Sequence, residues 1–201
     1  MRGLIILAVL AGCASPPLDV AAAEPLPETG VSTLYFRDPL SRSMSFASGG
    51  EGGVFQDFMV KNHGSDIDFG HYSANEFTVG IEGGRQGAIV DIGSSVSLQE
   101  QYGYSETVGR GQGFASIRLH DGQFVILKDY QLQTTQALQG VDTLLGEPGD
   151  ANASVPVHTD HVYLMRLTDR HEPTFERIVK FQVIAYTPGE SATIRWHRIS
   201  G

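Results

Sequence analysis

Two short stretches concentrate the side chains that ligate metals and move protons. His63, Asp66, Asp68 and His71 fall within H-G-S-D-I-D-F-G-H. Asp66 and Asp68 are two positions apart, so in a strand they share one face, with the histidines flanking them. Imidazole and carboxylate together suit zinc or a similar divalent ion. The spacing matches no standard zinc signature, and a solvated polar turn is the plainer reading. His158, Asp160 and His161 form a second cluster just ahead of the apolar run Val162–Leu167. There the plainer reading is that His161 opens a strand and the rest is loop. If the two clusters met in space, they would make a joint metal site.

Other chemistries find less support. Gly109-x-Gly111-x-Gly113 has the glycine count of a phosphate loop, but no helix carrying Lys and Ser/Thr follows it. The strand–turn–helix setting of a dinucleotide fingerprint is missing too. Ser94-Ser95 follows Gly93 without the G-x-S-x-G elbow. Acid pairs such as Glu76 and Glu82 suit general acid–base work in principle, yet nothing separates them from surface acids. Arg166, Arg177, Arg195 and Arg198 lie close to the C-terminus. They either pair across strands with acids such as Glu176 and Glu190 or line an anion-binding sheet face. No catalytic residues are assigned, and the chain is expected to bind rather than to be an enzyme.

The N-terminus addresses location. Met1-Arg2 and the apolar run Gly3–Val9 precede Leu10-Ala11-Gly12-Cys13, the pattern of a cationic start, an apolar core and small residues at a cut site. Cys13 is the sole cysteine, so an intramolecular disulfide is impossible. This stretch resembles the lipobox of bacterial lipoproteins. The resemblance implies cleavage before Cys13 and acylation of its thiol, with a chance cysteine in an ordinary cleaved signal as the alternative. One acyl chain anchors marginally, whereas the several chains of a lipoprotein attach it to the membrane for good. Ala14, where an inner-membrane lipoprotein carries Asp, implies the outer membrane of the cell envelope.

The organisation follows. Residues 1–12 read as a lipoprotein signal peptide. Residues 13–30, with Pro16, Pro17, Pro25 and Pro27 among Ala and acids, read as a flexible tether able to reach roughly 55 Å. Residues 31–201 read as a single β-rich domain, long enough to bury a core without disulfides. The net charge of −9 argues against nucleic acid as a partner. Gly supplies 24 of 201 residues, well above the usual share of about 7 %, and it is spread between short apolar runs as turns of an all-β domain would require.

Strands are expected over Val31–Phe36, Ser43–Ala47, Val54–Val60, Phe77–Glu82, Ala88–Ile92, Phe114–Leu119 and Phe124–Leu127. Asp121-Gly122 should turn a hairpin between the last two. Residues 94–113 read as a long loop, and Leu132, Leu138, Val141, Leu144 and Leu145 fit one helix over about 130–146. The most legible part is an antiparallel meander: Val162–Leu167, Ile178–Tyr186 and Ala192–His197, with Thr187–Glu190 as a β-turn. In the second of these strands Val179, Phe181, Val183 and Ala185 share one face, and Lys180 and Gln182 the other. In the third, Thr193, Arg195 and His197 are expected to face out. The expected class is mainly β, an antiparallel β-sandwich or barrel-like domain with at most one helix.

Tyr163, Thr168, Asp169, Lys180, Phe181 and Tyr186, together with Asp66-Ile67-Asp68-Phe69 and Phe77–Glu82, are similar to segments of the HmuY-like haem-binding lipoproteins. That resemblance implies an exported all-β lipoprotein, but it places no haem ligands on particular residues. No cofactor is assigned. The expected function is an accessory or protein-interaction module of the envelope, with an envelope protein as partner. The alternative is capture of haem, a metal or a small molecule.

Overall fold

A computed structural model describes residues 28–51, 64–70, 73–80, 85–103, 114, 116–127, 135–146 and 152–200. The fold is mainly β, with three antiparallel sheets and, among the described residues, two helices. The central sheet contains β1 (Thr29–Tyr35), β6 (Arg85–Ser94), β11 (His161–Asp169), β12 (Glu176–Thr187) and β13 (Ser191–Ser200), in the order β1-β13-β12-β11-β6. The expected C-terminal meander is its middle. The Glu190 amide donates to the Thr187 carbonyl at 3.0 Å, and Gly189 sits at φ 69°, where a type II turn needs glycine.

A second sheet, of β2 (Ser43–Ser45), β3 (Gly50–Glu51), β4 (Ile67–Phe69), β5 (Glu76–Val79) and β10 (Ser154–Pro156), packs on one face of the first. Strand alternation sends Tyr163, Phe181, Ile194 and Trp196 from the central sheet against Phe46, Phe69 and Phe77. The rings interlock. Phe181 stacks on Tyr163 at 5.0 Å and meets Phe77 edge-on at 5.3 Å.

The opposite face of the central sheet is covered as well. The third sheet, β7 (Ile117–His120), β8 (Gln123–Leu127) and β9 (Thr135–Ala137), lies there with α1 (Ser95–Tyr102) and α2 (Val141–Gly146). Leu98, Ile117, Ile126 and Leu145 meet Ala88, Val162, Leu164 and Ile178 in a second core. The Asp121-Gly122 turn joins β7 to β8 as expected, with φ positive at both residues (50° and 76°), as a two-residue hairpin loop demands.

Several local expectations change. A helix occupies Ser95–Tyr102, inside the stretch read as loop. It has no apolar stripe, but Ser94 caps it by accepting the Ser97 amide, and Gly103 closes it in the left-handed region at φ 62°. Of the helix expected over about 130–146, residues 130–134 lie outside the described residues, and the described remainder is helical at Val141–Gly146. Thr135–Ala137 instead pairs with β8, and Gly140 at φ 75° breaks the helical run. There are thus two described helices, not one.

Ala185 is exposed rather than inward-facing. The pairing of β12 with β13 slips between Val183 and Ala185, so Ile184 is an extra residue and Tyr186 takes the core-facing phase. Lys180 and Gln182 are buried, and Thr193, Arg195 and His197 are half-buried instead of facing out. Val54–Val60 and Ile81 lie outside the described residues.

Candidate functional site

The described members of the two sequence clusters, Asp66 and Asp68 of the first and His158, Asp160 and His161 of the second, do not meet. Asp66 leads into β4 near the Asp169 end of β11, whereas His161 opens β11 at its other end. Eight residue steps at about 3.3 Å separate those ends by roughly 25 Å. His63, His71 and Cys13 lie outside the described residues.

Asp66 and Asp68 are each 1 % exposed and are committed to arginines. Asp66 accepts from Arg177 at 2.5 Å and from the Phe46 amide at 2.8 Å, with Arg85 at 3.9 Å. Arg85 also faces Asp169 at 3.4 Å, and Arg42 faces Asp68 at 3.5 Å. The Phe175 ring lies beneath Arg85 at 3.5 Å and Arg177 at 5.1 Å. Burial pulls the Arg85 guanidinium below its ordinary value, and Asp66 opposes that shift. Two carboxylates, Asp66 and Asp169, thus balance two guanidiniums between the central and second sheets. This is a structural bolt: the carboxylates that resembled metal ligands are occupied by Arg side chains.

Lys180 presents a second buried charge problem. It is 1 % exposed, and its amine donates to the carbonyls of Phe114 (2.6 Å) and Ile117 (2.8 Å). Burial first, and then Arg118 and Arg195, push it down to about 6. A neutral amine has two N–H groups and here finds two acceptors, whereas an ammonium would bring a third. His197, paired across the strands with Lys180, is also pushed down by burial and then by Lys180 and Arg118.

The second sequence cluster sits where several irregularities converge. His161 Nδ1 contacts both Asp91 oxygens, at 2.9 and 3.0 Å, and the His158 ring centre is 4.9 Å from that of His161. A carboxylate at Nδ1 favours a proton on that nitrogen and fixes the orientation of the ring. Tyr163 accepts from the His158 amide at 2.9 Å and donates to the Pro156 carbonyl at 3.0 Å. Burial raises its phenol well above the usual range. Among the described residues no three His, Cys, Asp or Glu side chains come together to hold a metal ion.

Beside this cluster lies an open cleft of about 510 Å³, lined by Ser95, Val96, Asp160, Gln182, Ile184 and Arg195, among others. Gln182, 3 % exposed, forms its floor. Its amide donates to Ser95 Oγ and to Asp160 Oδ1, both at 2.8 Å. Asp160 stands at φ 66°, held by its amide on the Val183 carbonyl at 2.8 Å. The slip at Ile184 and another in β6, between the partners of Val162 and Tyr163, frame the same corner. Bulges of this kind re-aim side chains next to functional sites.

His158, Asp160 and His161 were visible in the sequence as a cluster. Asp91, Ser95 and Gln182 were missed as neighbours of this cluster, because each comes from a different strand or helix, and Arg195 was singled out only with the other C-terminal arginines. No protein-family model, curated protein or solved structure matches this chain.

Proposed function

We propose that this chain is an envelope lipoprotein, anchored in the outer membrane through acylated Cys13, whose domain docks an envelope protein and performs no catalysis of its own. One observation supports docking. Among the described residues, the second core lines the second face of the central sheet over β6, β11 and β12, β13 is half-buried there, and β1 leaves side chains exposed. Val31 (65 % exposed) and Tyr35 (49 %) stand on β1, with Ile184 (46 %) and Val96 (59 %) at the edge of the covering layer.

Register places Val31 beside Arg195, Thr33 beside Thr193 and Tyr35 beside Ser191, so these side chains form one surface. It runs into an open groove of about 750 Å³ lined by Tyr35, Arg37, Asp38, Pro188, Gly189 and Glu190. There Ser41 and the Leu40 amide donate to Asp38 and hold its carboxyl below the usual range. An exposed aliphatic and an exposed aromatic side chain set among polar neighbours are the kind of anchors a protein partner buries. The tether would lead straight into β1, so anchor and docking face share a strand.

The test is site-specific photocrosslinking in intact cells, with the photoreactive residue at Val31, at Tyr35 or at Leu144, an exposed position on α2. The expected result is one discrete envelope-protein adduct from Val31 and Tyr35 and none from Leu144. Equal adducts at all three positions, or none from β1, would overturn the reading.

A further inference from the structure

The turn that opens β11 carries two histidines at the separation of two ligands on one ion. The His161 amide donates to the His158 carbonyl at 3.4 Å and closes a β-turn over residues 158–161. Asp160, third in that turn, stands at φ 66°, the left-handed position of a type II turn, which Asp tolerates. The turn is held from several sides. The His158 amide donates to the Tyr163 hydroxyl at 2.9 Å, the Asp160 amide to the Val183 carbonyl at 2.8 Å, and Gln182 to Asp160 Oδ1 at 2.8 Å. Non-glycine backbone held in the left-handed region by its surroundings concentrates at ligand sites.

The ring centres of His158 and His161 are 4.9 Å apart, and the planes are tilted by 43° rather than stacked. A nitrogen about 2.0–2.1 Å from an ion puts its ring centre about 3.2 Å away, so two rings meeting there at roughly 90–110° stand about 4.5–5.2 Å apart. His158 is exposed, and among the described residues its ring nitrogens have no hydrogen-bond or ion-pair partner. His161 is half-buried, with Asp91 on Nδ1 at 2.9 Å. A carboxylate behind one ring nitrogen is the outer partner that orients a metal-bound histidine. With its proton on Nδ1, the neutral ring carries its lone pair on Nε2.

We propose that His158 and His161 together bind a late first-row divalent ion such as zinc, through one ring nitrogen each, with water completing its shell. Imidazole suits zinc, copper and nickel, whereas magnesium and calcium take oxygen ligands. Two protein ligands give affinity in the micromolar range, so trace metal does not load the site or alter stability. The inference goes beyond the docking reading, uses none of its residues and holds whether or not a protein partner exists.

The experiment is a histidine ring-nitrogen NMR titration of the full chain with zinc chloride at neutral pH. It should give saturable shifts of one ring nitrogen on each of His158 and His161, Nε2 in the latter, and magnesium chloride should shift neither. Outer partners of a bound histidine are worth about 10–100-fold in affinity, so His158→Ala and His161→Ala, which remove direct ligands, should each weaken zinc by at least about tenfold. His120, on β7 of another sheet, is the control, and His120→Ala should leave zinc affinity unchanged. No saturable shift, shifts confined to other histidines, or a zinc affinity that survives His158→Ala would overturn the proposal. The ring shifts of the native chain need no variant, so they decide the matter even if a variant fails to fold.

Discussion

Replacing Lys180 by Met should flatten the response of stability to pH in a defined window. Unfolded, Lys180 titrates at 10.5, and folded it is pushed down to about 6. Between those values the unfolded chain binds a proton that the folded chain does not. Stability therefore rises with pH, at about 1.4 kcal/mol per unit for one proton. The burial penalty is absent above the unfolded value and reaches its full size as pH falls through the folded value.

From pH 7 to pH 9 the native chain should gain about 2–3 kcal/mol that Lys180→Met does not gain. His197, pushed below its ordinary value, is neutral throughout this window and does not blur the comparison. The assay is urea unfolding of both proteins at pH 7, 8 and 9. With a slope of about 2 kcal/mol per molar, the native midpoint should climb by roughly 1 M more than that of the variant. The variant's absolute stability also reflects the carbonyls of Phe114 and Ile117 that it leaves without the amine, so the difference between the two pH trends is the quantity that counts. Parallel trends over this window, or a native midpoint that falls as pH rises, would refute a neutral buried amine.

The buried bolt and one close backbone approach give the remaining predictions. Asp66→Ala should cost about 3–5 kcal/mol in urea unfolding, because it leaves Arg177 and Arg85 buried with Asp169 alone. Asp66→Ala combined with Arg177→Met should recover part of that loss, while EDTA should leave the native midpoint unmoved. A chelator-sensitive midpoint would instead make Asp66 a metal ligand. Gly80→Ala should destabilise by about 2–4 kcal/mol, since φ is 66° and a Cβ would stand 2.1 Å from the Gly87 backbone nitrogen. Gly189→Ala, at a similar φ of 69° but in open space, should cost only about 1 kcal/mol. Equal losses at the two glycines in thermal melts would contradict the close packing of β5 on β6.

The parts of the fold that could be read from the sequence are those in which local pattern and tertiary role agree. Val179, Phe181 and Val183 alternate with Lys180 and Gln182, and Ala192, Ile194 and Trp196 follow after a Pro-Gly turn, so the meander was evident. The covering layer over Lys180 and Gln182 was not, because polar residues on an alternating strand read as solvent-facing unless something is known to satisfy them. The carbonyls that satisfy Lys180 come from Phe114 and Ile117, more than sixty residues away. The slip at Ile184 inverted the phase of Ala185 and Tyr186, and a one-residue bulge leaves no mark in composition. The helix at Ser95–Tyr102 is polar and rests on its caps, so hydrophobic periodicity could not reveal it.

The same limit applies to the candidate sites. Asp66 was read as a candidate metal ligand or part of a solvated turn, whereas its buried role depends on Arg177, 111 residues later. His158, Asp160 and His161 were visible because they are neighbours in the chain. Asp91 and Gln182, which orient them, are neighbours only across strands.

The docking face is tested most directly by hydroxyl-radical footprinting of the protein in intact envelopes and after purification. Tyr35 and Val31 should be protected in the envelope and become reactive once purified, while exposed Leu144 reacts equally in both. Equal reactivity of Tyr35 and Val31 in the two samples would mean that nothing covers the exposed face of β1, and the proposed docking would be wrong.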